Sequence, residues 1–348
     1  MKIAIVFGSQ SFEHEISIVS AIAMKKALVQ SENELLYIFI DKHREFYHIP
    51  TQTIKSNIFS SDKYKKCDKL QLSQDGFTKK GLFSNKTLDF DVVLNLTHGG
   101  DGEDGVLSGL FKFFNIPFIG PRVEACVVSC NKYLTKGYAD ACGVKTVDFK
   151  YYNKNQKIEV DIFPVIIKPI RLGSSIGVSI VKSQSDLNYA LDVAFEFDDE
   201  IIIEPFINNV KEYNLAGCKY NGEFKFSIVE EPQKEEFLDF DKKYLDFNRT
   251  EQVSKAEVSV QLEEKLKENF KKIYNTTFEG SLIRCDFFVV DNEVYLNEIN
   301  PIPGSMSNYL FDDFNSVINN LALNLPKDKY IQINYDYVNK IQSAKGKV

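Results

Sequence analysis

Residues 164–182 read PVIIKPIRLGSSIGVSIVK, two apolar runs around a loop of glycines and serines, with Lys168 at its near end. A Walker-type phosphate loop places its lysine after the glycines, at the first turn of a helix. Here Lys168 precedes Gly173, and no lysine directly follows Gly173 or Gly177. The flanks, residues 165–167 and 178–181, are strand-like. The stretch is therefore a strand–loop–strand. Taken alone it leaves two readings open: a flap that grips phosphate by another design, or the tip of a flexible hairpin.

Working outward, the upstream residues EACVVSC (124–130) and NKYLTKGYADACG (131–143) are helical, with Gly143 at the C′ position. TVDFKYY (146–152) reads as a strand, SDLNYALDVAF (185–195) as a helix and EIIIEPFI (200–207) as a further strand. Together they make a compact α+β unit of about 80 residues. On the N-terminal side, IAIVF (3–7), LLYIFI (35–40) and VVLNL (92–96) are continuously apolar, as in central parallel strands. GSQSFEHE (8–15) leads into a helix with Ile16, Val19, Ile22 and Ala23 on one face. THGGDGEDG (97–105) leads into another, from 106 to about 114. Residues 50–90 are polar and read as irregular excursions. The expectation is a doubly wound α/β domain with ligands at the carboxyl ends of its strands.

On the C-terminal side, EYNLAGCKY (212–220) and EFKFSIVEE (223–231) flank Asn221-Gly222, a hairpin-turn signal. PQKEEFLDFDKKYLDFNRT (232–250) reads as a long charged loop and LEEKLKENFKKIY (262–274) as an amphipathic helix. The boundaries expected are 1–124, 125–207 and 208–348.

Composition narrows the function classes. The chain of 348 residues is 44% hydrophobic and 26% charged, an ordinary globular balance. Its net charge of −7 argues against nucleic acid, whose affinity comes largely from basic contacts to phosphate. No apolar stretch approaches the roughly 20 residues of a membrane span. MKIAIVFGS has an apolar run of only five residues before a glycine, so no signal peptide is expected. The six cysteines form no CxxC pair, which fits free thiols in a reducing cytoplasm. Only five of the 42 basic residues are arginine, so Arg284 inside an apolar strand stands out.

Residues 282–300, LIRCDFFVVDNEVYLNEIN, read as a hairpin. Alternation puts Arg284, Asp286 and Phe288 on one face of its first strand, and Glu298 and Asn300 together on its second. A two-residue turn at Asp291-Asn292 sets Asp286 opposite Asn297. A three-residue turn over 291–293 sets Asp286 opposite Glu298 and Arg284 opposite Asn300, and this is the register expected here. It gathers two carboxylates and an amide oxygen beside an arginine, a donor set suited to Mg²⁺ with substrate phosphates. The plain alternative is a solvated strand face with a salt bridge.

FEHEIS (12–17), HGGDGEDG (98–105), KPIRLGSSIGVS (168–179), KKYLDF (242–247), RCDFFV (284–289) and NEINPIPGS (297–305), in this order, resemble the ATP-grasp superfamily, and within it the D-alanine–D-alanine ligases. The likeness covers nearly the whole chain. It implies an N-terminal doubly wound domain followed by the two-domain ATP-grasp fold, with ATP between two antiparallel sheets and two Mg²⁺ (or Mn²⁺) ions. By position it implies Lys132 and Lys168 at the phosphates and the 170–177 loop, including Ser175, as their lid. Glu204, Phe206 and Ile207 fall at the adenine and Glu212 at the ribose. Asp286, Glu298 and Asn300 fall at the metals and Lys243 at the transferring phosphate. Glu13 is implied at the ammonium of the first D-alanine, with Ser174 and Tyr244 as its partners and His98 nearby. Arg284 with the Gly304 N–H is implied at the developing oxyanion, and Tyr309 and Leu310 at the second D-alanine. The implied chemistry runs through a D-alanyl acylphosphate, in the cytoplasm, for peptidoglycan precursors. A homodimer is implied too, though no stretch marks an interface.

Each site residue has a plainer reading when taken singly. Glu13 could serve the helix dipole, His98 could be a satisfied loop histidine and Tyr244 an apolar anchor. The match departs at Ile170 and Leu172, where the lid of relatives is polar and acidic, and at Tyr309, where many carry serine. The rivals are a D-alanine–D-lactate ligase, a non-catalytic ATP-binding protein and another carboxylate–amine ligase. Lys243-Tyr244 argues against the first, the complete set of metal-site residues with Arg284 against the second, and Glu13 with HGGDGEDG against the third.

Overall fold

The computed structural model describes residues 1–28, 33–74, 76–81, 84–208, 210–232, 253–275, 277–327 and 329–344. Three sheets organise them. The first has eight strands. Its centre is Lys2–Gly8, paired in parallel with Glu34–Ile40 on one side and Val92–Asn95 on the other. Phe118–Ile119 extends the parallel edge. Ile3, Ala4, Ile5, Val6 and Phe7 are all buried, as unbroken apolar strands between two layers require.

Two expectations need correcting here. Residues 50–90 are not excursions: Asp68–Ser73, Gly76–Lys79 and Lys86–Thr87 continue the sheet in antiparallel fashion beyond Phe46–Ile49. Leu70 and Phe77 are its buried anchors, and so few apolar residues give little periodic signal. The helix His14–Ala27 buries Ile16, Ser17, Ile18, Ser20, Ala21, Ala23 and Met24, while Val19 and Ile22 are only partly covered. The serines belong inside because this face meets strand ends. Ser17 Oγ donates to the Leu96 carbonyl at 2.6 Å and accepts the Gly8 N–H at 2.7 Å.

The central sheet runs Ser179–Val181, Val165–Pro169, Glu200–Pro205, Lys150–Asn153, all antiparallel. Residues 170–177 are thus the loop of a strand–loop–strand. The C-terminal sheet runs Glu223–Glu230, Lys211–Tyr220, Ile283–Val290, Glu293–Asn300. Asn221 (φ 51°) and Gly222 (φ 79°) make the expected turn.

Packing crosses the sequence blocks. Ala125, Ala139 and Val144 sit in the core of the C-terminal sheet with Phe270, Phe287 and Leu296. Ile302, Met306, Phe314 and Ile318 join the core of the first sheet. Among the described residues no helix is long and apolar enough to cross a membrane.

Candidate active site

The hairpin over 283–300 carries the densest chemistry, and it reaches the expected pairing by an unexpected route. The turn has two residues, Asp291 (φ 50°) and Asn292 (φ 63°), with Val290 opposite Glu293. Two adjacent residues with positive φ match the strand twist better than a longer loop. Left regular, this turn would set Asp286 opposite Asn297. A β-bulge corrects it: Phe287 pairs with Leu296, but Asp286 pairs with Glu298 and Arg284 with Asn300. Asn297 is the extra residue, so the three-residue turn was wrong and the pairing it served was right.

The bulge also aims Asn297 into the cleft, where Lys168 Nζ of the central sheet donates to its Oδ1 at 3.3 Å. Removing Asn297 restores an unbroken alternation through Leu296, Glu298, Ile299 and Asn300. A deletion of Asn297 is therefore expected to keep divalent-cation dependence while raising KM for ATP up to about tenfold, since one hydrogen bond to a charged group is lost. Loss of the cation dependence, read from initial rates across a magnesium titration, would contradict this register.

Arg284 and Asp286 form a buried bidentate pair, Nε to Oδ1 at 2.6 Å and Nη2 to Oδ2 at 2.8 Å. Asn300 donates to Asp286 Oδ2 at 3.0 Å. Burial pushes the Asp286 carboxyl up to about 7 in spite of Arg284, and the charges of Glu298 and Glu212 add to the rise. One strand further across, Asn214 pairs with Asp286 on one side and with Glu230 on the other. Asn214 Nδ2 reaches Glu230 at 3.2 Å, and its buried Oδ1 has no hydrogen-bond partner among the described residues. A row of oxygen donors on one face, with one amide oxygen unsatisfied among the described residues, fits a hard divalent cation. Asp286, Glu298 and Asn300 are the residues that would hold it.

The lid lies against the first domain. Ser174 (φ 52°) donates its hydroxyl to Glu13 Oε1, and Ser175 (φ 59°) follows it in the left-handed region. A Cβ on Gly173 would come within 3.2 Å of Glu13 Oε1, so glycine lets the backbone close on that carboxylate. Lys132 Nζ donates to the Leu172 carbonyl, and Lys132 N–H to the Ile170 carbonyl at 2.9 Å. These bonds use backbone carbonyls, so they do not depend on which side chains stand at 170 and 172, and the Ile170 side chain is buried. Glu13 is the N-cap residue of the first helix and makes no side-chain cap hydrogen bond; its carboxylate accepts from the Ser174 hydroxyl across the cleft.

Behind Glu13, His98 Nε2 lies 2.9 Å from Ser20 Oγ, and Ser20 Oγ accepts the Ser305 N–H at 3.1 Å. Burial holds the His98 imidazole down at about 4, so it is neutral. Glu103, from the same loop, is pushed well above the carboxylate range, by burial first and then by Glu13 and Glu298. Sequence reasoning passed over Glu103, and also Asp101. Asp101 is buried, accepts from Ser9 Oγ at 2.7 Å and pairs with Arg44, tying residues 98–105 to the loop before Glu13. The acid-rich GDGED run was the available signal.

Residues 304–310 complete the far wall. Ser305, Met306 and Ser307 all have positive φ, and Gly304 opens this turn. Tyr309 is buried near Arg284, and Leu310 points into the core of the first sheet. On the nucleotide side, Glu204 lies opposite Ile166 in the central sheet, and the Phe206 N–H donates to the Pro164 carbonyl at 3.0 Å. Ile207 follows it, partly buried, and Glu212 lies opposite Phe288. Lys243 and Tyr244 lie outside the described residues.

Comparison with known proteins gives one answer. Residues 2–121 match the family model for the D-ala D-ala ligase N-terminus, and residues 141–316 that for the D-ala D-ala ligase C-terminus. The chain is 59% identical, over all of both chains, to a D-alanine–D-alanine ligase of Wolinella succinogenes. It is similar to the crystal structure of a D-alanine–D-alanine ligase from Helicobacter pylori, with a TM-score of 0.84 and 49% identity over 94% of this chain and 100% of that one. A D-Ala:D-Ser ligase from Enterococcus faecalis aligns at 26% identity and a TM-score of 0.73, over 92% of this chain and 98% of that one.

Proposed function

The chain belongs to the D-alanine–D-alanine ligase family, and on that premise we propose that its cleft joins two molecules of D-alanine into D-alanyl-D-alanine, consuming ATP, for peptidoglycan synthesis. The carrying observation is the convergence of three sheets on one cleft. Asn297, on the hairpin that carries Arg284, Asp286, Glu298 and Asn300, accepts from Lys168 of the central sheet, while the lid serine Ser174 reaches Glu13 of the first domain.

Glu13 holds the ammonium group of the first D-alanine, with Ser174 fixing the lid over it and neutral His98 shaping the wall. That substrate's carboxylate attacks the γ-phosphate, the bond to the β-phosphate breaks and ADP leaves with its electron pair, giving the acylphosphate; Lys132 and Lys168 make this encounter of two anions affordable by neutralising charge. Two Mg²⁺ or Mn²⁺ ions held by Asp286, Glu298 and Asn300 would add positive charge at the phosphates. The amine of the second D-alanine, having shed a proton, attacks the acylphosphate carbonyl. The new C–N bond forms, negative charge collects on the carbonyl oxygen, and phosphate leaves with the electron pair of the broken C–O bond. Arg284 and the Gly304 N–H stabilise that oxygen. Tyr309 and the Leu310 backbone border the second substrate. Glu204, Phe206 and Ile207 hold the adenine, Glu212 the ribose and Ser175 the phosphates. Lys243 and Tyr244 complete the phosphate and first-substrate sites in the same reading. Residues 1–124, 125–207 and 208–348 are then the substrate, lid and metal-side parts. We extend the reading to a homodimer in the cytoplasm, which light scattering and fractionation test.

Phosphate release from ATP and magnesium, with each amino acid enantiomer offered in turn, tests the activity. D-alanine should be turned over and L-alanine should not. With D-alanine and D-lactate both present, mass spectrometry should find the dipeptide and almost no depsipeptide. Depsipeptide as the main product, or equal rates with L-alanine, would overturn the assignment.

A further inference from the structure

Glu204 is 4% exposed and carries two ammonium groups, Lys136 Nζ at 2.6 Å from Oε1 and Lys168 Nζ at 2.7 Å from Oε2. The two lysines are not equivalent. Lys136 is as buried as Glu204 and has further partners on its own side: it donates to the Val147 carbonyl at 2.8 Å, and its ammonium stands 5.1 Å from the Phe149 ring centre. Lys168 is more exposed, at 12%, and among the described residues the other side-chain hydrogen bond of its ammonium is the long one to Asn297 across the cleft. Lys132 and Lys136 are one turn apart on the helix Lys132–Ala141, so they share a face. The first reaches the lid and the second reaches Glu204.

We propose that Lys136 is the standing counter-ion of Glu204, which lets Lys168 leave for the nucleotide phosphates and keeps Glu204 an acceptor toward the base, so that Lys136 sets the preference for a base bearing an amino group over one bearing a carbonyl. This rests on the reading that Glu204 faces the adenine. A buried charge that loses its partner is costly. Were Lys168 the sole cation, its departure would leave Glu204 unpaired, and a desolvated carboxylate without a partner takes up a proton. A protonated carboxyl donates, and so welcomes a carbonyl-bearing base. An ionised one only accepts, and so matches an exocyclic amine. Burial works to raise the Glu204 carboxyl, but Lys168 and Lys136 together hold it below its usual range. Among the described residues, the other charges facing this pair are Lys132 and, toward Lys136, Asp148.

The test measures binding of ATP and of inosine triphosphate, whose base carries a carbonyl, by calorimetry with magnesium at pH 6 to 8. It uses wild type, Lys136→Met, Glu204→Gln and the double variant. Lys136→Met should bind ATP at least tenfold more weakly. Its preference for ATP over inosine triphosphate should shrink, and shrink further toward pH 6, with KM for D-alanine within twofold of wild type. In the Glu204→Gln background, where no carboxylate needs a counter-ion, adding Lys136→Met should change ATP affinity less than twofold. That arm decides the matter if the single variant fails to fold. A lowered melting temperature with unchanged base preference and pH profile would make Lys136 a structural strut and overturn the proposal. So would an equal loss of ATP affinity with and without Glu204. A wild type that does not prefer ATP would instead overturn the assignment of Glu204 to the base, and the proposal with it.

Discussion

Replacing Arg284 with alanine is expected to lower kcat by about a hundred- to a thousandfold, the range of about 2.7–4 kcal/mol seen when one oxyanion donor is removed. KM for ATP should stay within about threefold, because the guanidinium pairs with Asp286 and lies near Tyr309, neither of which is assigned to the base or the ribose. Arg284 is buried and bidentate on Asp286, so the variant also leaves a carboxylate without its cation. Breaking a buried pair costs roughly 3–5 kcal/mol, so circular dichroism must show a folded sample before rates are compared. Arg284→Lys keeps the charge but loses the fork geometry and should fall between wild type and alanine. A loss of turnover under about tenfold would make the pair a structural salt bridge and remove Arg284 from the chemistry.

Glu13→Gln carries the second large effect. Glu13 accepts the Ser174 hydroxyl, and a Cβ on Gly99 would stand 2.6 Å from its Oε2, so two loops enclose it. Losing the charge at the first substrate's ammonium removes a charged hydrogen bond of about 1.5–3 kcal/mol. KM for D-alanine should rise about ten- to a hundredfold, with KM for ATP little changed. Stability should move the other way. The Glu103 carboxyl is raised by burial and then by Glu13 and Glu298, so the folded state holds protons that the unfolded state has released. Stability therefore falls as pH rises from the ordinary carboxylate range through the raised Glu103 value. Removing one neighbouring charge should flatten that fall and raise the melting temperature at neutral pH. An unchanged KM for D-alanine would take Glu13 out of the substrate site.

Much of this was legible in the chain. Residues 164–182 alternate between apolar runs and glycines in a way that excludes a Walker loop, and the central sheet has that strand–loop–strand. Asn221-Gly222 is a local turn signal and formed where expected. Residues 46–87 were less legible, because edge strands held by Leu70 and Phe77 carry few apolar residues. The helix after Glu13 was misjudged on one face, because serines that serve strand ends look solvent-bound until the strands are placed.

What the sequence determined by itself is what local chemistry determines: the order of elements, the turn residues, the ordered motifs that reveal the family, and the residue types available for the cleft. The tertiary structure alone decided how these meet. The register of Asp286 and Glu298 depends on a bulge at Asn297, whose side chain meets Lys168 across the cleft. Lys136 gives no sign in the sequence, since a lysine on an amphipathic helix is ordinarily solvated. It becomes a counter-ion only when that helix packs beside the central sheet and buries it against Glu204. Contacts between residues 68 positions apart depend on packing, because the free energy of a buried charge is set by its neighbours in space.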